Sequence, residues 1–113
     1  MMSNTRFSTR IATRFELGCL KGKGCIENVG SGGLFVRTRT VPERGERLWL
    51  HFEGPSGEAI SAMGIVWWTT LDGGPTPRMP NGFGVRLLAS NGHFRRFVSR
   101  LAQTGSQPAA RQR

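Results

Sequence analysis

Apolar residues recur at every second position through most of this chain, in short runs separated by glycine-rich breaks. That rhythm predicts strands and turns. Ile11 to Cys19 alternates and reads as a first strand, with Leu20-Lys-Gly-Lys-Gly24 as its turn. Cys25 to Val29 is a second strand, ended by Gly30-Ser-Gly-Gly33, and Leu34 to Arg39 is a third. The charged Pro/Gly piece Val41 to Glu46 leads into Arg47–Glu53. There Leu48, Leu50 and Phe52 share one face, and Arg47, Trp49, His51 and Glu53 the other. After a turn over Gly54 to Glu58, Ala59–Thr69 forms a long strand with Gly64 near its middle, a predicted bulge. Asp72 to Asn81 holds three prolines and reads as a loop, and Phe83 to Leu88 as the last strand.

From Asn91 the period changes. Phe94, Phe97, Val98 and Leu101 fall at i, i+3, i+4 and i+7, the stripe of an amphipathic helix. Arg95, Arg96 and Arg100 lie off that stripe; Asn91 suits the N-cap and Gly105 the stop. The fold class is therefore all-β, a small closed or nearly closed barrel. One C-terminal helix covers a mouth or an edge of it. Residues 1–10 read as a flexible Arg-containing arm, 11–104 as barrel plus helix, and 105–113 as a disordered tail without apolar content.

The 113 residues suit one domain, and 37% hydrophobic content suits a packed core. No apolar run approaches the ~20 residues of a membrane-spanning helix, and Met1 to Thr9 is too polar for a signal peptide. The expectation is a cytoplasmic protein without membrane insertion. Net charge is +9, carried by 14 Arg and only 2 Lys. A basic surplus points to an anionic partner, and guanidinium groups hold phosphate bidentately and stack on flat rings. Cys19 and Cys25, spaced C-x5-C, match neither a zinc pair nor a redox pair. They read as two thiols facing each other across a hairpin, with no need for a disulfide. His51 and His93 lack metal-ligand company and read as structural, so no metal and no cofactor are expected. No nucleophile–base pair stands out, so no catalytic residue is assigned and the chain is not read as an enzyme. Trp67 and Trp68 are adjacent and should face opposite sides of their strand, one into the barrel.

Two short motifs carry chemistry. Arg6-Phe-Ser-Thr-Arg10 sets two planar cations just before the first strand, and Arg10-Ile-Ala-Thr-Arg14 repeats the spacing. Asn28-Val-Gly-Ser-Gly-Gly33 ends one strand in an amide and three glycines, a turn that offers backbone N–H groups and close approach for a flat ring. In this order the pair resembles the signature of the PilZ family, R-x-x-x-R followed by [D/N]-x-S-x-x-G. The frame is similar too. The stretches NVGSGGLFVRT, VPERGERLWLHF, GIVWW and NGFGVRL resemble successive family strands, over roughly residues 6–102.

The resemblance implies a six-stranded antiparallel PilZ-like β-barrel with a C-terminal α-helix, of the kind that serves as a bacterial receptor for cyclic di-GMP. It implies that Arg6 and Arg10 hold phosphates and stack on or hydrogen-bond guanine. Asn28 would meet a guanine edge, and Gly30 and Gly33 would line the turn against the base. Two phosphates and two purine faces suit arginine by charge-assisted bonds and cation–π contact. Gly30 stands where the family has Ser, and Ser31 is its neighbour. The missing hydroxyl would cost about 0.5–1.5 kcal/mol, roughly threefold to tenfold in affinity. Only 17 residues separate Arg10 from Asn28, which leaves Arg10/Arg14 as an alternative pair.

Three functions follow in order. The first is a cyclic di-GMP sensor that changes its surface to regulate a protein partner in signalling or motility. The second is a ligand-free PilZ-like adaptor, motivated by Gly30. The third is a nucleic-acid-binding barrel, motivated by the +9 charge and three tryptophans; nucleic acid is not the expected partner, because the arginines are scattered rather than gathered on one strand face.

Overall fold

The computed structural model describes residues 7–30, 32–70 and 81–103. Six strands form: β1 (Phe7–Leu17), β2 (Leu20–Val29), β3 (Gly33–Arg37), β4 (Arg47–Glu53), β5 (Ala59–Thr69) and β6 (Gly82–Ser90). They close into a barrel in the order β1-β2-β3-β6-β5-β4, each neighbouring pair antiparallel. Closure follows from the alternation: Phe15, Ile26, Leu34, Leu50, Ile60 and Phe83 all point inward and are fully buried, and a closed sheet leaves no edge unpaired.

Helix α1 (Gly92–Gln103) packs on β5 and β6. Its expected stripe is the buried one. Phe94 and Phe97 enter the core, with Val98 and Leu101 against it, and Phe97 meets Phe52 edge-on with ring centroids 5.5 Å apart. Asn91 caps the helix: its Oδ1 accepts from Phe94 N–H at 3.2 Å, the N3 position. Gly105 and the tail lie outside the described residues, as does most of the proline loop.

Four readings need correction. First, β1 starts at Phe7, four residues earlier than the alternation suggests, so residues 7–10 are strand rather than arm. Second, Leu20–Gly24 is strand and not turn. Leu17 pairs with Leu20, and the loop is only Gly18 and Cys19. Gly18 at φ 58° supplies the positive φ that such a tight hairpin needs. Lys21-Gly-Lys-Gly24 runs on as strand because its glycines face inward; a Cβ on Gly22 would collide with the Phe15 ring. Third, the cysteines do not face each other. Cys19 is in the loop and Cys25 pairs with Ala12, roughly 20 Å along the strand at ~3.3 Å per residue. Fourth, Trp67 and Trp68 both face outward. The β5–β6 register slips between Val66 and Trp68, so two consecutive residues share the outer side between buried Val66 and Thr69. A second slip between Met63 and Gly64 is the bulge expected at Gly64.

Candidate functional site

The two motif segments meet at a distortion. The β1–β2 ladder is regular from Leu17↔Leu20 to Ile11↔Ile26 and then slips to Ser8↔Asn28, so Thr9 and Arg10 together oppose Glu27. On its other side β2 slips at the same residue: Ile26 faces Val36, Asn28 faces Phe35, and Glu27 is extra. A bulge bends its strand and re-aims the side chains beside it. Here it lets Ile26 and Val29 both be fully buried while Glu27 and Asn28 between them stay part-exposed. The Thr9 hydroxyl holds the kink by donating to the Ile26 carbonyl at 2.7 Å. Arg10 is exposed on the outer side of β1 and makes no ion pair among the described residues. The Glu27 carboxylate, the nearby negative charge on β2, is taken by Arg37 Nε at 2.9 Å.

The glycine turn is closed on itself. Gly30 N–H donates to the Gly33 carbonyl at 2.8 Å, and Leu87 N–H donates to the Gly32 carbonyl at 3.0 Å, which docks the turn on β6. Gly30 and Gly33 are buried and Gly32 is exposed. The Gly30 N–H is thus used inside the turn and is not offered outward. Arg6 and Ser31 lie outside the described residues.

An aromatic floor lies beside Asn28. Its partner Phe35 stacks on Trp68, ring centroids 5.4 Å apart and planes at 20°. Trp68 is 37% exposed and lies across Gly84, whose missing Cβ makes room for the indole. Arg86, the cross-strand partner of Gly33, sets its guanidinium 4.9 Å above the Trp67 ring, a cation–π contact. Phe35, Trp68 and Arg86 are absent from the motif reading. Their signal in the sequence is two adjacent tryptophans and a Gly-Phe-Gly strand, bulk and its absence at facing positions. Arg14 faces Lys23 and His51 and lies roughly 13 Å along β1 from Arg10 at ~3.3 Å per residue; Arg10, Arg14, Lys23 and His51 line one groove of about 790 Å³, away from Asn28.

His51 Nδ1 lies 3.2 Å from the Ser61 hydroxyl, and among the described residues no cluster of three or more His, Cys, Asp or Glu could hold a metal ion. No described helix is long and apolar enough to cross a membrane.

Comparison with known proteins gives two findings. The family described as PilZ domain matches over residues 3–103. Among solved structures, the Bacillus subtilis inhibitor of motility (MotI/DgrA) superposes with a TM-score of 0.75 at 12% identity, covering 100% of this chain and 54% of that one. This chain therefore spans about half of that protein's length, and the likeness is one of fold. No curated protein sequence matches.

Proposed function

This chain belongs to the PilZ domain family, and from that premise we propose that it is a cyclic di-GMP-binding sensor domain acting on a protein partner in the cytoplasm. The ligand lies on the outer face of β1, β2 and β3 and reaches Trp68 of β5, which lies over Gly84 of β6 beside Phe35. Arg10, joined by Arg6 from the segment before β1, holds the phosphates by charge-assisted bonds. Asn28 reads a guanine edge. A guanine ring stacks on the exposed face of Trp68, which Phe35 backs. The bound ligand, held against the barrel by Arg6 and Arg10, makes the surface that the partner reads. Binding and adaptor work of this kind needs no catalytic group.

One observation carries the reading. Arg10 and Asn28 flank the same residue, Glu27, at a double bulge, and Asn28 adjoins a stacked aromatic pair. A cation with no ion-pair partner among the described residues, a side-chain amide and a flat ring on one outer face suit a ligand with phosphates and purines.

Isothermal titration with cyclic di-GMP, with GTP as control, tests it. Saturable micromolar or tighter binding, absent with GTP and weakened at least tenfold in Arg10→Ala, is expected. Equal binding by parent and Arg10→Ala would refute the site. A second reading, a ligand-free adaptor, is favoured by Gly30, which brings no hydroxyl to the turn. It predicts no heat at any ligand excess and partner capture that ignores the nucleotide.

A further inference from the structure

The sequence scatters Arg14, Lys21, Lys23 and Arg39, but the barrel gathers them. Lys23 is the direct cross-strand partner of Arg14, and Arg14 on its other side faces His51 of β4. Thr38 donates its hydroxyl to the Lys23 carbonyl at 2.6 Å, which brings the next residue, Arg39, to the end of the row. His51, Arg14, Lys23 and Arg39 thus cross the outer surface over about 14 Å, at ~4.8 Å per strand. Lys21 adjoins the row, opposite Glu16.

Like charges placed directly opposite in a sheet are destabilising, and among the described residues only Glu16, opposite Lys21, sets a carboxylate in this groove. Glu16 approaches His51 at 3.9 Å, and Glu27 is held by Arg37. Among the described residues Arg14, Lys21, Lys23 and Arg39 make no ion pair. All four line one open groove of about 710 Å³. The repeat Lys21-Gly22-Lys23-Gly24 builds this on purpose of geometry: its glycines lie inward beneath Phe15 and Val36, so both lysines point out.

We propose that this face of β4, β1 and β2 is a second anion site, which does not include Asn28 and adjoins the first site at Arg10, and that it takes the phosphodiester backbone of a single-stranded nucleic acid. The row is long enough to track a strand rather than cap one phosphate. Trp49, 45% exposed, stands on the same face opposite Glu16, its ring within 11° of parallel to that of His51. A basic groove with an exposed aromatic ring beside it is how single strands are held, phosphates on the cations and a base on the ring. An acidic peptide would use the cations and leave Trp49 idle. The proposal does not rest on cyclic di-GMP binding.

The test is fluorescence anisotropy of labelled dT12 with the full chain, at salt from 50 to 200 mM, using the parent, the double variant Lys23→Glu/Arg39→Glu, the milder Lys23→Gln/Arg39→Gln, and Trp49→Ala. These positions are exposed or lie on the outer face, and circular dichroism melts check that each variant folds. The parent is expected to bind saturably, with a log–log salt slope near about −2.8 for four cations and about −1.4 in the double variants. Affinity should fall at least tenfold in the charge reversal, by less in the Gln pair, and roughly fivefold to a hundredfold in Trp49→Ala. No saturable binding, or variants that bind like the parent, overturns the site. An oligoglutamate of the same length that displaces dT12 at equal concentration overturns the assignment to nucleic acid in favour of an acidic protein. Titrating the double variants with cyclic di-GMP separates the two sites. Unchanged nucleotide binding with lost dT12 binding is the expected result. A parent that binds dT12 but not cyclic di-GMP would sink the reading of the Asn28 face alone.

Discussion

Phe35 and Trp68 stack on the outside of the barrel, centroids 5.4 Å apart and planes at 20°, over a residue, Gly84, that has no side chain to hold them off. An aromatic pair of this kind contributes about 0.5–1.5 kcal/mol beyond its buried area. Trp68 is part-exposed, so Trp68→Ala should lower stability modestly in urea unfolding. The same variant should weaken cyclic di-GMP binding at least tenfold by calorimetry, because the proposed site uses the ring as its stacking surface. Gly84→Ala drives a methyl into the indole and should cost about 1–3 kcal/mol by overpacking. A Trp68→Ala variant that titrates like the parent would remove Trp68 from the site.

Glu27 sits between Arg10 and Asn28 at the bulge, its carboxylate on Arg37 with side chains 26% and 50% exposed. Pairs this exposed contribute about 0–1 kcal/mol, so Glu27→Gln should barely move the urea midpoint. Its effect on an anion is different in kind. The substitution removes a negative charge beside Arg10 and frees the Arg37 guanidinium. Cyclic di-GMP affinity in low salt should therefore rise, by roughly twofold to fivefold, and the gain should shrink at high salt. Weaker binding would mean that Glu27 positions Asn28 through the bulge rather than opposing the ligand.

Most of the barrel was legible because period-two alternation fixes which residues face inward. Leu48, Leu50 and Phe52 are buried as their spacing predicts, and the helical stripe of Phe94 and Phe97 is buried in the same way. Two failures share a physical cause: a bulge without a glycine, unlike the one expected at Gly64, breaks alternation without marking the sequence. At Glu27 it turned two neighbouring residues outward, and at Trp67 it put both tryptophans on one side. Lys21 to Gly24 failed for another reason. Glycine reads as turn when its neighbours are unknown, and here it is strand because Phe15 from β1 fills the space above Gly22. Of the proposed site, Asn28 and Arg10 are motif positions. Phe35, Trp68 and the row from Arg14 to Arg39 depend on cross-strand register, which no local pattern carries.

Phe15 is fully buried, meets Phe83 edge-on at 5.2 Å and fills the space over Gly22. Phe15→Ala should cost about 3–5 kcal/mol through lost burial and a cavity, a large share of the ~5–15 kcal/mol that holds a typical domain folded. Gly22→Ala, which pushes a methyl into the same ring, should also destabilise, by about 1–3 kcal/mol. The two should not add, because the Phe15→Ala cavity accepts the new methyl. Urea unfolding of the two single variants and the double variant measures this. Additive losses would show that the two positions do not share one space.

Glu58 ties the β4–β5 turn to helix α1. Its Oε1 accepts from Ser56 N–H at 2.9 Å, and its Oε2 lies 3.5 Å from Arg100 Nη1. Its own backbone N–H holds its carboxyl below the usual 4.5, with help from Ser56 N–H and the charges of Arg100 and His93 and against partial desolvation. A carboxyl whose folded-state pKa is depressed adds stability above its unfolded value. That contribution is lost as pH falls below 4.5 and through the lower folded-state value. Urea unfolding of the parent and Glu58→Gln across pH 7 to 3 should therefore show a constant gap above about pH 5 that closes as the pH falls. Arg100→Ala should narrow the gap without abolishing it, since the backbone N–H groups remain. If the gap between parent and Glu58→Gln stayed the same down to pH 3, the carboxylate would be no more stabilised in the folded chain than in the unfolded one, and the tie between turn and helix would rest on Arg100 and the Ser56 hydroxyl, which are 3.2 Å apart.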